Sequence, residues 1–380
     1  MVLPGSRKPS GHGPPVELTG AMALQAHKKA STSATLERGA SRRCQPNAGA
    51  YGSSHARFHD YSPLASKKFE EGRRALAQAY DVVIVGGGAA GLSAALVLGR
   101  CRRTVLVCDD GHPRNAASLA AHCLLGNEGI APSKLLAKGR QELSEYEGVV
   151  FHDDHVHSIT KGNQNEFTVL CEKGLTATAR KVLLTTGLKD EVPKIAGIEG
   201  LYGRSVHQCP YCDGFENRDK PIGVYGKGDK GAGLALMMRQ WSADIILCTD
   251  GPTTVSQEIQ ARLKQHGIEV CRDQIVKLEG DDKGCLQRIC FADGSVLERT
   301  ALFFSTGCVQ RSDLWERLGC KRDEKGGIMS DPITEESSVP GVYVAGDASR
   351  DVLLIAVAIA EGAKAAVAIN RALLEEEGLA

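Results

Sequence analysis

The sequence carries no surplus of either charge: 46 lysines and arginines stand against 46 aspartates and glutamates in 380 residues. A polyanion-binding surface needs a basic excess, so nucleic acid is not an expected partner. The chain also lacks a long apolar run. Its longest late one, LLIAVAIA at 353–360, falls far short of the roughly 20 residues that cross a bilayer, and no membrane partner is expected. An apolar secretory segment is missing too, which argues against export. Cysteine is not scarce, but the 13 present are odd in number and scattered through a long chain. Small secreted scaffolds are short and disulfide-dense, and this sequence is neither. Cys108, Cys248 and Cys290 lie in apolar, strand-like runs and read as small buried hydrophobes. A reducing, cytoplasmic compartment is the default expectation.

Residues 1–68 differ from the rest. They are rich in Gly, Ser, Ala and His, with ten basic residues against three acidic ones and no sustained periodicity. The composition predicts a disordered tail. The alternative is an organelle-targeting segment, since transit peptides are basic, Ser-rich and acid-poor. Order is expected to begin near residue 68, with KKFEEGRRALAQA as a short charged helix.

Three glycine landmarks follow. In YDVVIVGGGAAGLSAALVLGRCRRTVLVCDDG (80–111), Asp81–Val85 reads as a buried parallel strand. Gly86, Gly88 and Gly91 form G-x-G-x-x-G across the turn into a helix that opens with Ala89 and Ala90, and a second strand, Thr104–Cys108, ends in Asp109. Gly86 suits the tight turn, Gly88 the approach of a pyrophosphate, and Gly91 the close packing of helix on strand. The helix N-terminus offers free N–H groups to phosphate, and Asp109 is placed to accept ribose hydroxyls.

A second unit, DKPIGVYGKGDKGAGLALMMRQWSADIILCTDG (219–251), repeats the spacing at Gly226, Gly228 and Gly231 between strands Ile222–Tyr225 and Asp244–Cys248. A 2′-phosphate wants Arg or Lys just past the second strand, and the chain there reads TDGPTTVSQE. Asp250 would repel that phosphate and suits a free ribose 2′-OH, so NADH is chemically easier than NADPH, and a site for neither remains open. The third landmark, VYVAGDASR (342–350), is a strand ending in Gly346-Asp347 before an Ala-rich helix. A carboxylate there can bind a polyol hydroxyl, or it is an ordinary helix cap.

Between the two units lies HQCPYCDG (207–214). A Cys-x-x-Cys is a redox disulfide or half of a metal site. Zinc needs four ligands, yet His207 is the only nearby histidine and no second Cys-x-x-Cys or Cys-x-x-His occurs in the sequence. The redox reading stands. Two-residue spacing at a helix start lowers the attacking thiol's pKa and supplies the resolving partner. Asp213, beside Cys212, is a plausible acid/base. HDDHVH (152–157) reads as a solvated strand and turn without a metal.

Taken in order, the first glycine motif, LLTTG (183–187), the Cys-x-x-Cys-Asp-Gly, the second glycine motif, FFSTG (303–307) and Gly-Asp resemble the low-molecular-weight thioredoxin reductase family of flavoproteins, over about residues 80–376. The resemblance implies an α/β chain of two Rossmann-like dinucleotide-binding domains, three-layer ββα/αβα, one inserted in the other. An FAD domain would occupy 80–200 and 299–376, and an NAD(P)-like, dithiol-bearing domain 203–298. It implies FAD as cofactor, held by Gly86, Gly88, Ala89, Ala90, Gly91, Asp109, Asn115, Thr186, Gly187, Gly346 and Asp347, with NAD(P)H at Gly226, Gly228 and Gly231. Cys212 would face the flavin, Cys209 would exchange with substrate, and Asp213 would move the proton. The implied partner is a thioredoxin-like protein or a small-molecule disulfide or dithiol, with a homodimer as the family's tendency.

Two features depart from that pattern: the basic cluster for NADPH, and the Arg-Gln pair that such reductases carry soon after Gly-Asp, where this chain reads SRDVLLIAVAIAEG. With both losses the chain resembles a side branch that includes fungal and bacterial dithiol oxidases, and CPYC with DDGHPRN (109–115) is similar to many bacterial FAD-dependent oxidoreductases. The first expectation is a disulfide reductase fed by NAD(P)H, because the second glycine motif is intact. The alternative is a dithiol oxidase that uses oxygen, and a third reading is a flavin-binding redox sensor without turnover.

Overall fold

The computed structural model describes residues 78–162, 166–349 and 352–380. The expected tail (1–68) and most of the expected charged helix lie outside them. Gln78 and Ala79, written into that helix from sequence, instead begin the first strand, Gln78–Val85. Its burial pattern explains the extension: Val82–Val85 are buried, and the earlier residues continue the ladder along the partner strand Thr176–Leu184.

That strand sits at the centre of a seven-stranded sheet. Val105–Cys108 and then Val149–His152 lie parallel on one side of it, and Thr176–Leu184 on the other. Thr176–Leu184 serves two structures. Its first half continues an antiparallel meander with Phe167–Cys171 and Val156–Lys161, while its last three residues pair in parallel with Val342–Val344. Helices Ala89–Arg100 and Ile355–Glu376 cover one face, packed through Ala94, Ala95, Ala365 and Ala366. Small side chains at that contact let the two helices approach closely. The meander covers the other face, around Phe167 and Val169. The result is a sheet–sheet–helix sandwich.

A second sheet of five parallel strands runs Glu269–Cys271, Ile245–Cys248, Ile222–Tyr225, Ala301–Phe304, Val206–His207. Helix Gly228–Met238 covers one face, and a three-stranded antiparallel sheet (275–298) covers the other. Ala301–Phe304 therefore pairs in this second sheet, and Ile195, Ile198 and Leu201 pack in its core. The inserted block is longer at both ends than the expected 203–298. The chain enters and leaves it through Leu188–Asp190 and Cys308–Gln310, which pair with each other antiparallel. Among the described residues, no helix is long and apolar enough to cross a membrane.

Candidate active site

The first glycine turn is locked from beneath. Thr185 donates its hydroxyl to the carbonyls of Val85 (3.0 Å) and Gly86 (2.7 Å). Gly86 has φ +110°, and a Cβ on Gly91 would lie 2.0 Å from the Gly86 carbonyl oxygen, so neither position tolerates a side chain. Gly88 is different: a Cβ there would meet nothing within 4 Å. Its surroundings are space, and that space is a cavity of about 600 Å³. Gly86, Gly88, Ala89, Ala90, Asp109, Asn115, Thr186, Gly187, Gly346 and Asp347 all line it.

These residues fit an extended dinucleotide. Thr186 Oγ1 is buried with no protein partner, which a polar ligand would satisfy. Asp109 is held by Arg140, whose Nη2 donates to Oδ2 at 2.6 Å. Arg140 also reaches Asp153 (2.9 Å) and lies 4.8 Å over the Phe151 ring. Asp347 sits at the turn after Val342–Val344. Sequence reasoning missed the group that shapes this turn: buried Glu361, on the long C-terminal helix, accepts the Gly346 N–H at 2.7 Å. A Glu inside an Ala-rich helix carries no motif that would mark it.

The same cavity is also lined by the sulfur-bearing segment. Cys209 and Cys212 are joined as a disulfide, and both line the cavity with His207, Gln208, Tyr211 and Asp213. Cys209 is the extended residue that caps the short helical turn Pro210–Asp213, and its Sγ accepts the N–H of Cys212 at 3.2 Å. A donor aimed at this sulfur favours its thiolate once the disulfide opens. Behind it, His207 is 5% exposed and holds Nδ1 3.2 Å from Asp213 Oδ1. Its ring packs on Phe303, with centroids 5.2 Å apart, and its buried Nε2 has no protein partner. His207 and Asp213 thus form a dyad beside the disulfide. The sequence reading weighed His207 only as a metal ligand, because spacing alone does not reveal that a strand end folds it onto Asp213.

The second glycine set stands apart from this cavity. A Cβ on Gly231 would come 2.4 Å from the Gly226 carbonyl carbon, so the turn is tight as the spacing predicted. One N–H at this helix start is occupied: Gly228 N–H donates to Thr253 Oγ1 at 2.7 Å. Asp250, expected to face a ribose, has φ +50° and accepts from Tyr225 Oη (3.2 Å) and the Ile275 N–H (3.0 Å). Its carboxylate is used in tying the loop to the neighbouring sheet. The 152–157 run also differs from expectation. Asp154 is buried rather than solvated, and it accepts the N–H groups of His155 (2.8 Å) and Lys173 (2.7 Å) to close the meander.

Residues 80–362 match the pyridine nucleotide-disulphide oxidoreductase family. The chain belongs to this family. A probable thioredoxin reductase of Arthroderma benhamiae is 33% identical over 301 residues, covering 72% of this chain and 74% of that protein. Thioredoxin reductase sirT of Leptosphaeria maculans is 28% identical, over 77% of this chain and 93% of its own. Among solved structures, HlmI superposes with a TM-score of 0.77 at 34% identity, covering 80% of this chain and 96% of HlmI. A putative thioredoxin reductase of Bacillus anthracis gives 0.74 at 30% identity, over 78% and 99%. Family members are FAD enzymes that use NAD(P)H, and this chain is an FAD-dependent disulfide oxidoreductase of thioredoxin reductase type.

Proposed function

We propose that the enzyme runs in the oxidising direction, closing disulfides in a small dithiol and passing the electrons to oxygen: R(SH)₂ + O₂ → R(S–S) + H₂O₂. The observation that carries this is the occupied Gly228 N–H. A reductase needs a nicotinamide site, and here the Gly228 N–H at the helix start is bonded to Thr253, Asp250 is spent on Tyr225 and Ile275, and no base stands in 249–258 after the strand.

The chain's own groups account for the thiol chemistry. A substrate thiol gives its proton to the His207–Asp213 dyad, and the thiolate attacks Cys209 Sγ, breaking the Cys209–Cys212 bond and releasing Cys212 as thiolate. The second substrate thiol, giving its proton to the Cys212 thiolate, then attacks the substrate sulfur bonded to Cys209 in the mixed disulfide. Cys209 leaves, its negative charge met by the Cys212 N–H. The product carries the new S–S bond, and the enzyme holds two reduced cysteines. FAD, when bound along the wall from Gly88 to Asp347, supplies the two-electron acceptor that no side chain can provide.

A second reading, reduction of a thioredoxin-like or small disulfide by NAD(P)H, draws support from the intact Gly226–Gly231 turn. Oxygen uptake separates the two. With a small dithiol and no nucleotide, the proposal expects one H₂O₂ for each disulfide formed. No uptake with dithiol, but NADPH consumption with a disulfide, would establish the reductase instead.

A further inference from the structure

We propose that Arg114 is a positioning residue that seats the disulfide segment against the FAD cavity. Three arms of one guanidinium make the case. Nη1 donates to Asp347 Oδ2 at 2.7 Å, on the FAD side of the cavity. Nε and Nη2 donate to Asp190 Oδ1 at 3.1 and 2.6 Å, on the strand through which the chain crosses into the inserted block. Nη2 also donates to Gln208 Oε1, on the residue immediately before Cys209. Tyr202 Oη completes the knot by donating to the other Asp190 oxygen at 2.6 Å.

The arrangement is specific to arginine. A planar fork with five donors can bridge three acceptors held in fixed directions, where an ammonium is a point charge that cannot. The side chains of Arg114, Asp190 and Asp347 are 19%, 7% and 22% exposed, so these contacts are little screened by solvent. Burial works against the Arg114 charge, but its hydrogen bonds and the attraction of Asp190 and Asp347 outweigh that and raise its pKa further. The guanidinium is therefore charged at every working pH.

The fold shows why a tie is needed at this place. The two sheets are connected through Leu188–Asp190 and Cys308–Gln310, a two-stranded ribbon three residues long. A ribbon that short constrains the angle between two large bodies weakly, so contacts across the cavity must set how the sulfurs meet it. Arg114 touches the FAD side, the ribbon and the disulfide segment at once. This inference holds for either direction of electron flow.

The test uses the FAD-loaded protein. Gln208→Leu removes only the arm to the disulfide segment, and Arg114→Met removes all three. After anaerobic reduction, the rate at which a bulky maleimide alkylates Cys209 and Cys212 is read by mass spectrometry, and the rate of flavin bleaching by dithiothreitol is read by stopped flow. Both variants should bleach more slowly and alkylate faster, each by about tenfold, the factor that one lost charge-assisted hydrogen bond corresponds to. Arg114→Lys, which keeps the charge and loses the fork, should fall between wild type and Arg114→Met. FAD content and melting temperature of Gln208→Leu should match wild type. If Arg114→Met fails to retain FAD because Asp347 has lost its partner, Gln208→Leu decides alone. Wild-type alkylation and bleaching rates in Gln208→Leu would overturn the proposal.

Discussion

In the proposed mechanism His207 and Asp213, 3.2 Å apart, act on the same proton, and that makes their substitutions non-additive. Asp213→Asn leaves a neutral partner for Nδ1, and His207→Gln leaves Asp213 without the ring. Each should slow thiol exchange by about 10²-fold, the low end for a lost acid/base, while FAD content stays unchanged. The double variant should be about as slow as either single one, because a dyad fails as a unit. Rate losses that multiply would mean two independent groups. Asp213 is a candidate acid/base in the sequence already, from its place in Cys-Asp-Gly. His207 was not, because its role depends on strand Val206–His207 pairing with Ala301–Phe304, a contact nearly a hundred positions away in sequence. Glu361 and Arg114 were hidden for the same reason: their partners come from distant segments, and only the fold brings them together.

At the scale of the element, the two glycines of the first turn separate folding from binding. Gly91→Ala would place a carbon 2.0 Å from a backbone oxygen, and overpacking of that kind costs about 1–3 kcal/mol. Its melting temperature should drop even without cofactor. Gly88→Ala meets no protein atom within 4 Å, so the apoprotein should melt like wild type while FAD affinity falls. Equal FAD affinity in Gly88→Ala would show that the cofactor does not approach this backbone. The long C-terminal helix has its own signature. Arg103 and Arg180 hold Glu377 at 2.6 and 2.7 Å, and these bonds pull its carboxyl from the ordinary 4.5 down to about 2. A carboxyl depressed in the folded state stabilises fully above its ordinary pKa and loses that effect as pH falls through its folded value. Acid melts should therefore converge for wild type and Glu377→Gln between about pH 4.5 and pH 2, with wild type ahead at neutral pH. Parallel curves would remove Glu377 from the acid response. Most elements could be read in advance because strand–glycine–helix units carry their own periodicity. The boundary at 299 could not, because Ala301–Phe304 is an apolar strand that either sheet could have taken. The Leu302 N–H, which donates to the Ser205 carbonyl at 2.9 Å, and the pairing with Val206–His207 place it in the second sheet.

The whole molecule brings a glycine turn that fits a dinucleotide and a disulfide to one cavity, beside a second nucleotide-type fold whose glycine turn bonds to its own loop. From sequence, that turn gave the reductase direction its first claim. The structure weakens the claim at one atom, the Gly228 nitrogen, because hydrogen-bond occupancy is a tertiary property that a glycine spacing does not encode. Direction of electron flow is therefore the central claim, and anaerobic half-reactions test it most directly. FAD-loaded protein is mixed in a stopped-flow cell with dithiothreitol, NADH or NADPH, and the flavin absorbance near 450 nm, roughly where bound flavin absorbs, is followed. Rapid bleaching by the dithiol, abolished in Cys209→Ser, with no bleaching by either nucleotide is the predicted result. Rapid bleaching by NADH or NADPH would contradict it.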